Sequence, residues 1–493
     1  MDPQLIAALL LGKTVAFINK LTGSGATAAP GLYALKIDPN LVKKLSKKIK
    51  NGPIVISGTN GKTTTSRLIF DILSTKYKII HNRQGSNLLR GIASTLIKHT
   101  SIFGNLDSDL AIWEVDEATL PEAIKNVNPK VVVLLNLFRD QLDRYGEVDT
   151  TRTKWQDALL QLSKESTLVL NTDDPNMPTA AKFSKAKSVY FGVEDTVIKL
   201  PSISHVADVK YCPHCQSKLV YEALFSSHLG HYKCSNCDFQ RPDPSISASS
   251  LIFNYDFSTR LKLTINYKPA PPGKIKTDWT KQGEPLTINY KLPGLYNVYN
   301  ILAASCVARL EKINVNIIKK NIEEYSSAFG RSQFVSIPVS QAGGGNKSVI
   351  IFLIKNPTGA NEVLRVLSLR KSLHVLAILN DKIADGRDVS WIWDTNWEIL
   401  QNKITTVSVS GTRAWDIATR LKYAGIKLSK NNIYMGNHIP HKYRNKEISY
   451  SVKNSIDKLN NRDTLIILPT YTAMLEVQRT LHKVGASRQW HRQ

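Results

Sequence analysis

The run Gly58-Thr59-Asn60-Gly61-Lys62-Thr63-Thr64 is the part of the chain best equipped to hold phosphate. Glycines let a backbone curl, and successive amides together with a helix N-terminus then face an anion. Lys62 would add a point charge, and the Thr63 hydroxyl would reach a magnesium ion. A standard phosphate loop has four residues between its first glycine and the Gly-Lys pair, whereas only Thr59 and Asn60 intervene here, so the loop is a shortened variant. Magnesium also takes carboxylate oxygens. Glu114 ends the apolar run LAIWEV and is followed by Asp116 and Glu117, where a parallel sheet would present its ligand-binding edge. Glu114 is the preferred metal ligand and catalytic carboxylate, against the plainer reading of a solvated acidic loop.

A second constellation is Cys212-Pro-His-Cys215 with Cys234-Ser-Asn-Cys237. Two such pairs at this separation fit a four-thiolate zinc site with no open position, hence a structural one. A redox role would need only one pair. His214, His228 and His231 read as bystanders, and Cys306, inside NILAASCVARL, as a buried core thiol.

Positioning these groups requires particular elements. PIVISG before the loop reads as a buried strand, and TTTSRLIFDILSTKY after it has helical spacing. LAIWEV, KVVVLLNL and STLVLN are further short apolar runs, so the pattern is that of a parallel, helix-covered sheet. The cysteines interrupt it as an insertion, and Lys268 to Pro285 form a Pro- and Lys-rich loop. Strand candidates at Val349, Leu373, Ile404 and Thr464 then imply a second, Rossmann-like α/β unit. The expected organisation is an N-terminal helical segment over 1–50, a central ATP-binding domain over 51–330 with a ribbon insert at about 208–240, and a C-terminal α/β domain over 331–493.

With 493 residues and 42% apolar content, neither a single small module nor a disordered chain fits. The 65 basic residues exceed the 40 acidic ones by 25, which favours anionic partners without choosing among nucleic acid, phosphorylated substrates and acidic membranes. The opening MDPQLIAALLLGKTVAFINK has a short apolar core and lacks a basic leader or a small-residue cleavage pattern. It reads as an amphipathic helix, with peripheral membrane contact as its other use.

The chain resembles the Mur ligases, ATP-dependent enzymes of peptidoglycan synthesis. The resemblance rests on GTNGKTTT, EVDE, NLFRDQLDRYGEVD, NTDDP, GLYNVYNILAA and FGRSQF, which occur in that family's order. The four-cysteine insert and the stretches FLIKNPTGANEVL, LNDKIADGRDVSWIWD, SGTRAWDIATRLKYAG and LPTYTAMLE are similar, more closely, to the MurT family. The resemblance implies a Mur-ligase-like fold and a cytoplasmic synthetase subunit at the inner face of the membrane. It implies ATP-dependent amidation of the D-isoglutamyl α-carboxylate of lipid II through an acyl phosphate, with ammonia from a GatD-like glutaminase. The cofactors implied are ATP, Mg²⁺ and a structural Zn²⁺. Asn60 to Thr64 would hold the triphosphate, Asn297 and Asn300 would approach adenine and ribose, and Arg331 would reach toward the nucleotide.

Gln333 departs from the family's usual Glu, Gln141 departs from the usual His, and Lys154 is the nearest residue to the family's carbamylated lysine. The resemblance further implies that an aspartate of LNDKIADGRDVSWIWD completes the glutaminase. Asp388 is favoured and Asp385 is next, because both flank the turn at Gly386, whereas Asp381 ends the strand; the plain alternative is that Asp388 caps a helix beginning near Ser390. An amino-acid-adding ligase or folylpolyglutamate synthase would leave the ribbon and DGRDVSW without a role. A basic zinc-ribbon protein binding nucleic acid would leave the phosphate loop unexplained.

Overall fold

The structure, a computed structural model, describes residues 2–22, 27–83, 86–139, 148–201, 208–265, 285–325, 331–338, 346–444, 446–460 and 463–484. Most of the Lys268–Pro285 loop, together with Asp140 and Gln141, lies outside these residues.

Its frame is a nine-stranded sheet of β1 (Pro53–Ser57), β2 (Ile79–His81), β3 (Leu110–Glu114), β4 (Val131–Leu134), β5 (Thr167–Asn171), β6 (Lys187–Val193), β9 (Ile246–Phe253), β10 (Thr259–Ile265) and β11 (Leu286–Tyr290). The spatial order is β11-β10-β9-β6-β5-β4-β1-β3-β2. Strands β2, β3, β1, β4, β5, β6 and β9 pair in parallel in that order, and β9, β10 and β11 form an antiparallel meander at one edge. All five residues of β1 are buried because helices cover both faces of the sheet. Ile54 and Ile56 join Leu68 and Ile72 on one side, while Val55 joins Trp113 and Trp155 on the other.

Between β6 and β9 the chain leaves the sheet to form a separate hairpin, β7 (Leu219–Ser226) and β8 (Leu229–Cys234), which carries the cysteines. A second sheet holds β12 (Arg331–Pro338), β13 (Asn346–Phe352), β14 (Leu373–Ile378), β15 (Ile404–Ser410), β16 (Ile433–Tyr434) and β17 (Thr464–Pro469) in the order β12-β13-β17-β14-β15-β16. It is parallel except for β12, which pairs antiparallel with β13. The strands expected near Val349, Leu373, Ile404 and Thr464 are β13, β14, β15 and β17. The chain reading leaves β12 and β16 unmarked.

The N-terminal segment forms α1 (Pro3–Leu21) and α2 (Ala29–Ile37), packed on each other and on the helix Leu89–His99. Among the described residues α1 alone is long and apolar enough to cross a membrane by length and composition, and 22% of it is buried.

Candidate active site

Strand order reverses on either side of β1, with β4 on one flank and β3 on the other. The crevice at such a switch point is where open α/β sheets bind ligands, and the short loop leaves β1 into it. Gly58 and Gly61 hold φ values of +141° and +93°. A Cβ on Gly58 would lie 2.9 Å from the Leu135 Cβ, and one on Gly61 would lie 2.1 Å from the Asn300 Oδ1. Only glycine fits either place. The helix Lys62–Leu73 starts immediately afterwards, so its unpaired N–H groups open on the crevice.

Most of the loop's polar groups have partners. Asn136 grips Asn60 twice, its Oδ1 accepting from the Asn60 N–H at 2.9 Å and its Nδ2 donating to the Asn60 carbonyl at 3.0 Å. The Thr59 hydroxyl accepts from the Phe138 N–H at 3.0 Å, so this side chain braces the loop instead of facing the crevice. The Lys62 ammonium is buried, donating to Gly58 O at 2.5 Å and to Glu117 Oε2 at 2.9 Å. Thr64 lines the adjoining cavity.

Glu114 stands at the end of β3, where its Oε1 accepts from the Thr63 hydroxyl at 2.8 Å and from Asn87 Nδ2 at 2.9 Å. Asn82 fixes the Glu114 backbone with a pair of hydrogen bonds at 2.8 and 2.9 Å. Burial pushes the Asp116 carboxyl above the ordinary carboxylate range, with the Lys62 charge pulling the other way. The chain reading singles out Glu114 and Thr63, which the structure brings together. It assigns nothing to Asn82, Asn87 and Asn136, and it does not foresee Glu117 as the counter-ion of Lys62. A hydroxyl and a carboxylate in contact beside a buried lysine are a donor set suited to Mg²⁺.

Beside the loop lies a cavity of about 100 Å³ lined from both sheets. Asn60, Gly61 and Asn300 come from the first sheet's side, Phe352, Lys355 and Glu362 from the second's. Asn300 Oδ1 accepts from Thr65 at 3.2 Å. Asn297 is not among the lining residues; it donates to Pro293 O at 2.7 Å, and its Oδ1 accepts from Asn300 Nδ2 at 3.2 Å, so it orients Asn300. The backbone of Arg331 pairs with Phe352, which brings β12 to the cavity's edge. Asn356 Nδ2 donates to Asn60 Oδ1 at 3.2 Å, linking the sheets at the loop itself. Burial pushes the Glu362 carboxyl up, opposed by Arg365 and the Ser226 hydroxyl. Arg370 donates to Tyr255 O and Asn254 O at 2.9 and 3.0 Å, and Arg139 pairs with Asp394 at 3.0 Å.

The four thiols of Cys212, Cys215, Cys234 and Cys237 lie within 4.8 Å of one another. A tetrahedron of thiolates around zinc has edges of roughly 3.8 Å, and the Cys212–Cys237 and Cys215–Cys234 separations are 3.6 and 3.4 Å. The N–H groups of His214 and Asn236 point at the Cys212 and Cys234 sulfurs at 3.4 and 3.3 Å, as knuckles around a metal-bound thiolate do. The residues therefore fit zinc. His228 and His231 are bound elsewhere, to Asp174 and to the Val193 carbonyl. Cys306 is fully buried and its thiol pKa is pushed well up by burial.

After β14, Asp381 accepts from the Thr412 hydroxyl at 2.7 Å. Asp385, expected at an outward turn, points inward instead. It is buried and accepts from both the N–H and the hydroxyl of Thr472. Asp388 is exposed, and its Oδ1 accepts from the Ser390 N–H at 2.8 Å. Ser390 holds its carboxyl below the usual range. The segment Ser390–Asp394 is one short 3₁₀ turn whose cap position is Val389, so Asp388 closes a local turn and caps no α-helix. Lys154 is exposed on the helix Val148–Leu159, whose buried face is formed by Thr151, Trp155, Ala158 and Leu159.

Residues 56–237 match the Mur ligase middle domain, and residues 353–474 match the MurT ligase C-terminal domain. The chain is 34% identical over 424 residues to the subunit MurT of a lipid II isoglutaminyl synthase (glutamine-hydrolyzing) from Staphylococcus aureus (strain COL), covering 85% of this chain and 88% of that one. It is 31% identical to the corresponding subunit of Streptococcus pneumoniae (strain ATCC BAA-255 / R6), covering 99% and 98%. The fold is similar to a pseudomurein peptide ligase type C from Methanothermus fervidus, with a TM-score of 0.62, 21% identity and coverage of 90% and 80%. It is also similar to a MurF ligase from Thermotoga maritima in complex with ADP, with a TM-score of 0.59, 12% identity and coverage of 92% and 84%. A Mur-ligase fold, a phosphate loop at its switch point and near-full-length likeness to these subunits identify the chain as an ATP-dependent ligase of the MurT family.

Proposed function

We propose that this chain is the synthetase subunit of a lipid II isoglutaminyl synthase, working as a heterodimer with a GatD-like glutaminase. The observation that carries the reading is the Thr63–Glu114 pair beside Lys62 at the crevice. There Thr63 and Glu114 would hold Mg²⁺, which supplies charge neutralisation at the phosphates. The N–H groups of the loop and the Lys62 ammonium orient the γ-phosphoryl group and stabilise the charge that develops on it. An oxygen of the D-isoglutamyl α-carboxylate attacks the γ-phosphorus and ADP leaves. Ammonia then attacks the acyl carbon, phosphate leaves with the C–O electron pair, and a proton is lost from nitrogen to give D-isoglutamine. Activation is needed because a carboxylate is a poor electrophile. The three-part organisation at about 1–50, 51–330 and 331–493 belongs to the same proposal.

Ammonia comes from the partner, and Asp388 is the aspartate offered to it. Asp385 builds the loop through Thr472. On the same C-terminal unit Ile383, Trp393 and Tyr423 are exposed, the last two with their rings 5.5 Å apart, and exposed aromatic side chains are the kind protein interfaces use. Incubation of the chain with lipid II, ATP and ammonium should yield amidated lipid II and ADP in equal amounts, and glutamine should replace ammonium only when the glutaminase is added. ATP cleavage without amidation would overturn the reading.

A lipid-linked substrate places the enzyme at the inner membrane face. Consistent with this, α1 exposes Leu10, Leu11, Phe17, Ile18 and Leu21 along one stripe, and α2 exposes Leu32, Tyr33 and Ile37. The first 50 residues hold eight lysines and two aspartates, 8 − 2 = +6. Apolar side chains rimmed by lysines suit an anionic bilayer surface. The expected result is co-sedimentation with phosphatidylglycerol vesicles, and a loss of about tenfold in vesicle affinity for the double substitution Phe17→Ser, Leu21→Ser. Unchanged sedimentation would remove these helices from any membrane role.

A further inference from the structure

The cysteine-bearing hairpin runs from its thiols to the nucleotide cavity. At one end β8 closes on Cys234, with Leu219 opposite it; at the other, Ser226 pairs with Leu229 across a turn in which Ser227 has a φ of +50°. Ser226 and Leu229 both line the cavity. His228, in the turn, is fully buried. Its Nε2 lies 3.2 Å from Asp174 Oδ1, and its ring packs 4.9 Å from that of Phe138, another lining residue. The second sheet's helix Pro357–Ser368 grips the same tip, Arg365 donating to the Phe225 carbonyl at 2.7 Å while the Ser226 hydroxyl meets the Glu362 carboxylate.

A two-stranded hairpin is marginal in water by itself, and the apolar cluster around the thiols is small: Val209, Leu219, Tyr232 and Phe239 with Cys212. At the tip Ala223, Phe225 and Leu229 join the main core, so the thiol end is the less supported half of the hairpin and the place where a clamp acts on its register. A slip of one residue would turn every side chain to the other face, moving Ser226 and Leu229 off the cavity.

We propose that the ribbon is a working wall of the nucleotide site: zinc at the four cysteines sets the register of β7 and β8, and that register seats Ser226 and Leu229 against the bound adenine nucleotide. Zinc occupancy and nucleotide affinity are then coupled, and the coupling must be reciprocal. The inference rests on the ATP reading above and adds a coupling to the structural role expected of the zinc site.

The test uses the full chain loaded with zinc, ADP binding measured by calorimetry, and zinc release into a chromogenic chelator. Zinc-stripped protein is expected to bind ADP about tenfold more weakly, and saturating ADP to slow zinc release several-fold. Leu229→Ala, which leaves all four thiols in place, should retain one zinc per chain and lose ADP affinity by about the same factor. Stripped but folded protein with unchanged ADP affinity, or zinc release indifferent to ADP, overturns the proposal. If stripping unfolds the chain, Leu229→Ala decides, and wild-type ADP affinity in that variant overturns it. Failure of the zinc-loaded wild type to bind ADP would sink the ATP reading itself, and the proposal with it.

Discussion

Replacing Lys62 with alanine should lower ATP turnover by roughly 10²–10³-fold, because the proposed function gives its charge to the transferring phosphoryl group. The burial of Lys62 adds a second effect that its position at the start of a helix does not suggest. Its ammonium is the partner of Glu117, and both side chains are almost fully buried. Truncation leaves a carboxylate buried without its counter-ion, at a stability cost on the order of 3 kcal/mol. Lys62→Ala should therefore unfold at lower denaturant concentration than the parent. The double variant Lys62→Ala, Glu117→Gln should recover most of that loss and none of the turnover. Near-parental ATP hydrolysis in the folded double variant would remove Lys62 from the chemistry, and unchanged stability of the single variant would mean that Glu117 finds another partner.

Asp388→Asn separates the two halves of the proposed complex. Asparagine keeps the Oδ1 that accepts the Ser390 N–H, so the local turn survives. What it loses is the negative charge. A Cys–His glutaminase needs a carboxylate to orient the imidazole and stabilise its protonated form, and removing that charge in a comparable triad costs about 10⁴-fold. Glutamine-dependent amidation by the assembled complex should fall by roughly 10²–10⁴-fold, while ammonium-dependent amidation stays near the parental rate. Loss of both activities would place Asp388 in the synthetase site, and loss of neither would leave it only a turn to close. Asp385→Asn should behave differently, with reduced stability and both activities lowered together, because that carboxylate holds Thr472 inside the fold.

The parts of this site that were legible in the chain are those written in local patterns. A β-branched run ending in glycine marks β1 and its loop, and an apolar run ending in an acidic residue marks Glu114. Two CxxC pairs mark the thiol cluster. The unread parts depend on the tertiary arrangement. Asn82, Asn87 and Asn136 are single amides on loops, with no period to flag them, and they matter only because neighbouring strand ends converge. The cavity needs Gly61, Asn300 and Glu362 to meet, which no local window contains. Asp385 and Asp388 sit three residues apart and differ only in which way the turn faces. The meander β9–β11 is written in a different signal: TRLKLTI alternates apolar and polar residues, with Leu261 and Leu263 buried, which is less conspicuous than a continuous apolar run.

A cavity walled by two sheets keeps its shape only while the two are held together. Among the described residues, the contacts that hold the second sheet against the loop side include the Asn60–Asn356 amide contact, the Arg139–Asp394 pair, the Ser226–Glu362 contact, and the carbonyls gripped by Arg365 and Arg370. A neutral hydrogen bond contributes only about 1 kcal/mol after exchange with water, and one from a charged guanidinium about 1.5–3 kcal/mol. On the proposed function, such a clasp would keep water from the acyl phosphate and still reopen in each cycle.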